Sequence, residues 1–394
     1  MRLPSAPRPA AAAVLGCLSF LLIGWSGLLV ASLIRQIEAA FGQTDAGMGL
    51  YFFVNAAAYG AGVLGGTELT HRLGRRPVLA GGVALAVIGL IVLATAPAWP
   101  VFLLAALPFG VGCGALDGAA NGLILDLYPS SRGRSLNLLH FFFSAGAFAS
   151  PFVVGRAVEG GVAWQALLIA TAVVSAPIAL AFARASMPSG RTAATESGEP
   201  RAALLFNPFL VALGLAIAFY VACEIGVSNW LVRFLAAAPL GVATTALTSF
   251  WAGLTVGRLV SARIGDRFDH TAFATVASVA TALAIGVAVA APSLELSIAA
   301  FSVAGLFCGP IFPLIVAVGG ERFPDRSAAV GGYLATAAVV GGITYPPVMG
   351  LLSVTVGLPA AMLGTAMLAL ACGAVLLLVG RPRRRLAGGA ETVT

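Results

Sequence analysis

Apolar residues run along this chain in twelve long stretches separated by short polar or turn-forming breaks. They cover 10–34, 46–69, 77–96, 99–126, 135–158 and 162–183, then 206–235, 240–262, 271–291, 293–319, 327–352 and 358–380. Most exceed the roughly 20 residues a helix needs to cross a bilayer. In hydrocarbon every backbone N–H and C=O must be paired within the protein, and runs this long and continuous suit helices rather than barrel strands. The pattern predicts an all-α membrane protein with twelve transmembrane helices.

The stretches also repeat. At an offset of 195 residues Gly62 falls on Gly257, Arg72 on Arg267, and Gly110, Cys113 and Gly114 on Gly305, Cys308 and Gly309. Pro129 falls on Pro324, Gly146 on Gly341 and Pro151 on Pro346. The chain therefore reads as two six-helix pseudo-repeats, an N-terminal half 1–184 and a C-terminal half 206–394. Between them, 185–205 is the only sizeable polar stretch. Its Pro188, Ser189, Gly190, Glu196, Ser197, Gly198, Glu199 and Pro200 suit a flexible linker.

Composition identifies the solvent. Of 394 residues 59% are hydrophobic and 9% charged, against about 25% charged in a soluble domain. That excludes a soluble enzyme and makes the bilayer the natural environment. A net charge of +7 could suit nucleic acid, but the placement of the charges argues otherwise. There is no lysine, and 19 of the 22 basic residues lie at the two ends, in the middle loop and in the even-to-odd connections. Arg35, Arg156 and Arg233 lie at the opposite ends of the stretches. The positive-inside rule then predicts cytoplasmic termini and a multi-pass protein of the inner or plasma membrane, its basic face against anionic lipid. Arg381, Arg383, Arg384 and Arg385 read as a stop anchor. The first stretch, although preceded by Arg2 and Arg8, is too long for a signal peptide and is the repeat mate of the seventh.

Other chemistry is sparse. Cys17, Cys113, Cys223, Cys308 and Cys372 all fall inside stretches with no paired spacing, so no disulfide or metal site is expected. No phosphate loop, dinucleotide fingerprint or Ser/His/Asp set stands out, so neither enzyme activity nor a cofactor is expected. Uphill movement of a solute would have to draw on an ion or solute gradient.

Charges inside a bilayer are expensive and default to functional candidates. Of 15 acids, only Asp117 and Glu224 lie well inside stretches. Asp117 and Asn121 share a helix face, and Asp117 is about 13 Å from the cytoplasmic end, near the midplane. In the fifth stretch Asn137, His140 and Ser144 share a face at matching depth. In the seventh, Tyr220, Glu224 and Ser228 do so, followed by Asn229 and Trp230. Tyr51, Asn55 and Tyr59 recur every four residues in the second, and Trp251 sits mid-way along the eighth. Such groups can form a buried hydrogen-bond network or an aromatic packing stripe with no ligand. They equally suit a polyhydroxylated ligand, whose C–H faces lie on rings and whose hydroxyls bond amides and acids.

Two motifs carry a resemblance. Thr70-His71-Arg72-Leu73-Gly74-Arg75-Arg76-Pro77 resembles the major facilitator loop signature between spans two and three. Gly253 to Arg258, leading to Asp266-Arg267, is similar to its second-half copy. The resemblance covers essentially the whole chain. It implies a cytoplasmic gate built from His71, Arg72, Arg75, Arg76, Asp126, Arg132, Arg258, Asp266 and Arg267. His71 stands where the family usually has Asp.

More narrowly, Leu116-Asp117-Gly118-Ala119-Ala120-Asn121, and Leu136 to His140 with Phe142, Ser144 and Gly146, are similar to motifs of the fucose permease-like sugar/proton symporters. Tyr220 to Trp230 resembles span seven of their glucose-type relatives. The resemblance implies alternating access between the halves, a small solute such as a sugar, and proton symport through Asp117; the protein is expected to act as a monomer. The permease has a second acid in span one, and here Ala31 occupies the matching place. Glu224 replaces that acid, or the protein is uncoupled or an exporter. An efflux antiporter for amphipathic drugs or lipid-like compounds, and a receptor or scaffold with a transporter fold, are the alternatives.

Overall fold

The structure is a computed structural model that describes residues 9–190 and 206–380. Arg2, Arg8, most of the 185–205 linker and the tail arginines from Arg381 onward lie outside the described residues.

Helices account for nearly everything described. The N-terminal half contains α1 (Pro9–Ser32), α2 (Ile34–Phe41), α3 (Asp45–Leu73), α4 (Arg75–Thr95), α5 (Trp99–Leu127), α6 (Arg132–Glu159) and α7 (Trp164–Arg184). The C-terminal half contains α8 (Pro208–Phe234), α9 (Leu240–Ile264), α10 (His270–Ala290), α11 (Leu294–Cys308), α12 (Ile311–Arg322), α13 (Ser327–Val356) and α14 (Leu358–Gly380). Twelve spans are long and apolar enough to cross a membrane, α11 and α12 together forming the tenth.

Two predicted stretches differ in detail. The first ends at Ser32, and α2 follows as a separate helix outside the spans. α2 buries Ile34 and Ile37 and ends at Gly42, whose φ of 61° suits a residue without Cβ. The tenth stretch breaks at Gly309-Pro310. Pro310 has no N–H to donate, and its ring opposes a continuous helix at this point.

Polar caps start three helices of the second half. Asn207 accepts from the Phe209 amide at 3.0 Å, Asp269 from Ala272 at 2.7 Å and Ser293 from Leu296 at 3.2 Å.

Within each half the helices approach closely through glycine, and these contacts repeat at the same offset as the motifs. A side chain on Gly62, Gly110 or Gly114 of α3 and α5 would strike the carbonyls of Val111, Asn55 or Tyr59. One on Gly257, Gly305 or Gly309 would strike those of Leu306, Phe250 or Leu254, the repeat mates of the first three. Small residues that let backbones touch are the usual glue of helices in lipid, where apolar burial gives no net drive.

The two halves meet along α3 with α13 and α6 with α9. One end of the bundle carries the arginine-rich loops around Arg75, Arg132, Arg267 and Arg326. Polar contacts between halves gather at the other end. The Arg35 guanidinium donates to the carbonyls of Val232 at 3.0 Å, Leu235 at 2.5 Å and Ala238 at 2.9 Å. Arg233 pairs with Glu38 and Asp45, each at 2.8 Å. The Gly241 amide donates to Glu159 at 2.7 Å. Nearer the middle, Thr248 donates to the Phe148 carbonyl at 3.3 Å. This end is shut by contacts between the halves.

Candidate functional site

At mid-height the N-terminal half presents a three-residue polar cluster. Tyr59 Oη donates to Asp117 Oδ2 at 2.5 Å, and Asn121 Nδ2 donates to Asp117 Oδ1 at 2.7 Å. Asn121 also reaches the Asp117 carbonyl at 3.1 Å. The glycine contact of Gly114 on the Tyr59 carbonyl brings α3 and α5 close enough for the first bond. Helical spacing of four supplies the second. All three residues are partly accessible. Among the described residues, no cation pairs with Asp117.

The C-terminal half carries a different set. Tyr220 donates its hydroxyl to Glu224 Oε2, and Arg258 Nη2 lies 3.9 Å from the same oxygen. Ser228 donates back to the Glu224 carbonyl at 2.8 Å. Tyr220, Glu224 and Ser228 are buried, whereas 30% of the Arg258 side chain is accessible. Arg258 was grouped by its motif with the loop residues. The structure instead sets it beside Glu224.

His140 and Asn137 are exposed on α6. The His140 ring meets Phe20 edge-on at 5.3 Å between centroids. Neither residue is among the hydrogen-bond partners of Asp117, because α6 packs chiefly on α1 rather than α5. Ser144 is buried and donates to the His140 carbonyl at 3.1 Å, so it serves its own helix. Trp251 crosses to the other half, with its ring 6.0 Å from that of Phe143 and its Nε1 buried without a partner.

Tyr51 stands apart from these clusters. It is buried, and its ring lies 5.3 Å from Phe102, within an aromatic group toward the shut end. Among the described residues its hydroxyl has no hydrogen-bond partner, and neither does Asn55 Oδ1, which sits against Gly110.

The residues assigned to the arginine-rich gate are separately engaged. Arg75 is buried and pairs with Asp126 at 2.6 Å. Exposed Arg72 pairs with Glu68 one turn earlier at 2.6 Å, and Arg76 donates to the Ala183 carbonyl. His71, Asp266 and Arg267 are exposed, Asp266 lying 3.8 Å from His270. The side chain of Arg132 lies outside the described residues. The Arg75 amide donates to the Ser189 carbonyl at 3.1 Å, so the start of the linker rests on the signature loop.

Sequence reasoning missed the contacts that shut the other end, made by Arg35, Glu38, Asp45 and Arg233. A signal was present. Arg35 and Arg233 are two of the three arginines that depart from the charge bias, and residues kept against a bias invite a specific partner.

The geometry is that of two helical halves, each with a polar cluster inside its spans. The Major Facilitator Superfamily model matches residues 14–240 and 235–393. The chain belongs to the Major Facilitator Superfamily and is a multi-pass membrane transporter by family and fold. It is 26% identical over 388 residues to Bypass of stop codon protein 6 of Saccharomyces cerevisiae, covering 88% of this chain and 78% of that protein. Its fold matches a bacterial homologue of the human lysosomal transporter Spinster in an inward-facing, unoccupied conformation. The TM-score is 0.77 at 16% identity, over 95% of this chain and 97% of that one. A mutant form of the nucleoside transporter NupG matches with a TM-score of 0.77 at 15% identity, over 94% and 100% of the two chains.

Proposed function

We propose that this protein is a secondary transporter that moves a small polar solute, of the sugar class, by alternating access coupled to protons. The observation that carries this reading is the Tyr59–Asp117–Asn121 cluster. It is a carboxylate near the midplane, bonded to a phenol and an amide, partly accessible and with no cationic partner among the described residues. A phenol, an amide and an acid together are donors and acceptors suited to hydroxyl groups. Phe143 and the exposed His140 supply ring surface for a sugar's C–H faces. The structurally similar nucleoside transporter is named for a solute that is likewise polar.

Asp117 is the coupling acid in this reading. With neutral partners, its charge is balanced only by taking a proton, and loading or release as the site changes sides would link solute to proton. Glu224 has Arg258 at 3.9 Å as a counter-charge within its own half. It serves the solute together with Tyr220 and Ser228. The arginine-rich end faces the cytoplasm of a cell whose inner or plasma membrane holds the protein, and the protein acts as a monomer. The structure then corresponds to a state shut toward the outside.

The test is uptake into proteoliposomes holding the purified protein, with radiolabelled neutral sugars and nucleosides offered under an imposed inward proton gradient. Accumulation above the external concentration, abolished by a protonophore, supports the reading. Extrusion of amphipathic dyes with no sugar or nucleoside uptake would replace it with efflux.

A further inference from the structure

Among the contacts that shut the arginine-poor end, two acids share one guanidinium. Glu38 lies on α2 and Asp45 at the first position of α3, both in the N-terminal half, whereas Arg233 lies near the end of α8 in the other half. α2 is held to its own half by Phe41, whose ring lies 5.2 Å from Phe102 and 6.0 Å from Trp99. The two acids therefore stay with one half when the halves part, and Arg233 leaves with the other.

Arg233 Nε is 2.8 Å from Glu38 Oε2 and 2.8 Å from Asp45 Oδ1. Two carboxyls are therefore set against the one Arg233 guanidinium. Among the described residues, Asp45 Oδ1, Glu38 Oε1 and Arg233 Nε are all buried without a hydrogen-bond partner. The side chain of Asp45 is only 9% accessible and that of Glu38 12%. Both carboxyls lie against the same nitrogen, beside each other. Two buried carboxyls share one paired guanidinium, and a proton held by one of them would offset the excess negative charge.

We propose that Glu38, Asp45 and Arg233 form a proton-binding site that exists only while the arginine-poor end is shut, so that shutting this end takes up a proton. The other charged group facing it is Arg35 of α2, whose guanidinium is committed to carbonyls of Val232, Leu235 and Ala238. Glu159 of α6, at the same end, is bonded to the Gly241 amide at the neighbouring α6–α9 contact. Burial, then the neighbouring Asp45 carboxyl, pushes the Glu38 carboxyl up to about 8 from its ordinary 4.5, against the pull of Arg233. When the halves part, Glu38 meets water and its ordinary value returns.

The sign follows. Between about 4.5 and 8 the shut state holds a proton that the open state has released. Rising pH therefore favours opening, by up to about tenfold in the open-to-shut ratio per pH unit, with no further change above that window. This site is separate from the mid-span acids assigned to solute coupling, and its test does not depend on transport.

The experiment is distance measurement by double electron–electron resonance on the full chain in nanodiscs. Spin labels are placed at the arginine-poor end through Ala98→Cys and Pro292→Cys in a Cys17→Ala background, and pH is stepped from 5 to 9. The wild-type cluster should give a longer-distance population that grows from pH 5 to 8. Glu38→Gln, whose amide carries its own hydrogens, should hold the end shut with no pH dependence across that range. Asp45→Asn should flatten the dependence as well, and it decides the matter if Glu38→Gln fails to fold. An unchanging distance from pH 5 to 9 in the parent overturns the proposal. So does a full pH response in a folded Glu38→Gln protein, which would assign the titration to Asp117, Glu224 or His140.

Discussion

Tyr59 and Asp117 are joined across two helices by a hydroxyl-to-carboxylate bond of 2.5 Å, and a glycine beside it allows that approach. The bond makes α3 and α5 one unit at the level of the candidate site. It also ties the ionisation of Asp117 to the geometry of its neighbour. Removing the hydroxyl with Tyr59→Phe leaves the ring packing in place and takes one donor from the carboxylate. A hydrogen bond to a charged group contributes on the order of 1.5–3 kcal/mol. The expected outcome is a loss of about tenfold or more in apparent solute affinity, with folding retained. Concentration-dependent uptake in proteoliposomes measures it.

Asp117→Asn should keep the fold and solute exchange but lose gradient-driven accumulation. An amide resembles the protonated acid in size and hydrogen bonding yet releases no proton. Glu224→Gln is the companion variant, expected to weaken solute binding while some accumulation persists. Uptake under an imposed pH gradient, compared with counterflow in its absence, separates the two. If both variants accumulate solute like the parent, neither acid couples, and facilitated diffusion or another ion takes the place of symport.

Arg35→Ala should destabilise the shut state. Its guanidinium makes charge-assisted bonds to three carbonyls at the end of α8. Their joint loss is on the order of 2–4 kcal/mol. Labels reporting the arginine-poor end should show an open population where the parent shows a closed one. A purely structural role would lower the melting temperature without moving that distance.

Gly114→Leu and Gly309→Leu should each destabilise the half that contains it. Both positions face a backbone carbonyl that cannot move aside, Tyr59 in one half and Leu254 in the other. Overpacking at such a site costs about 1–3 kcal/mol or more. Thermal unfolding in detergent would register both, and Gly114→Leu should additionally impair uptake because it pushes α3 from Asp117. Gly65→Leu, a glycine with open space around it, is the control expected to unfold like the parent.

A reporter fused to the C-terminus should be found on the cytoplasmic side. A membrane-impermeant thiol reagent should label Ala98→Cys from outside intact cells and should leave Arg267→Cys unlabelled. The reverse pattern would invert the orientation read from the arginines.

The twelve spans and their duplication were written in the hydropathy and glycine patterns because both are local. A helix in lipid must be apolar along its length, and a glycine at a backbone contact cannot be exchanged for a larger residue. Hence the offset that aligned Gly62, Gly110 and Gly114 with Gly257, Gly305 and Gly309 also aligned the carbonyls they touch. The pair Asp117 and Asn121 was equally accessible to inspection, since a spacing of four on one helix guarantees proximity. By themselves, then, the residues determined a membrane-embedded, internally duplicated helical protein and the identity of its two mid-span acids. What the tertiary structure decided was every partnership across helices. It gave Tyr59 to Asp117, Arg258 to Glu224, and Glu38 with Asp45 to Arg233, and it set Asn137 and His140 away from Asp117's bonds. The reason is geometric. Periodicity gives the face on which a side chain lies, whereas its partner depends on how helices rotate and cross. That is fixed by the sum of many small packing contacts that no single spacing records.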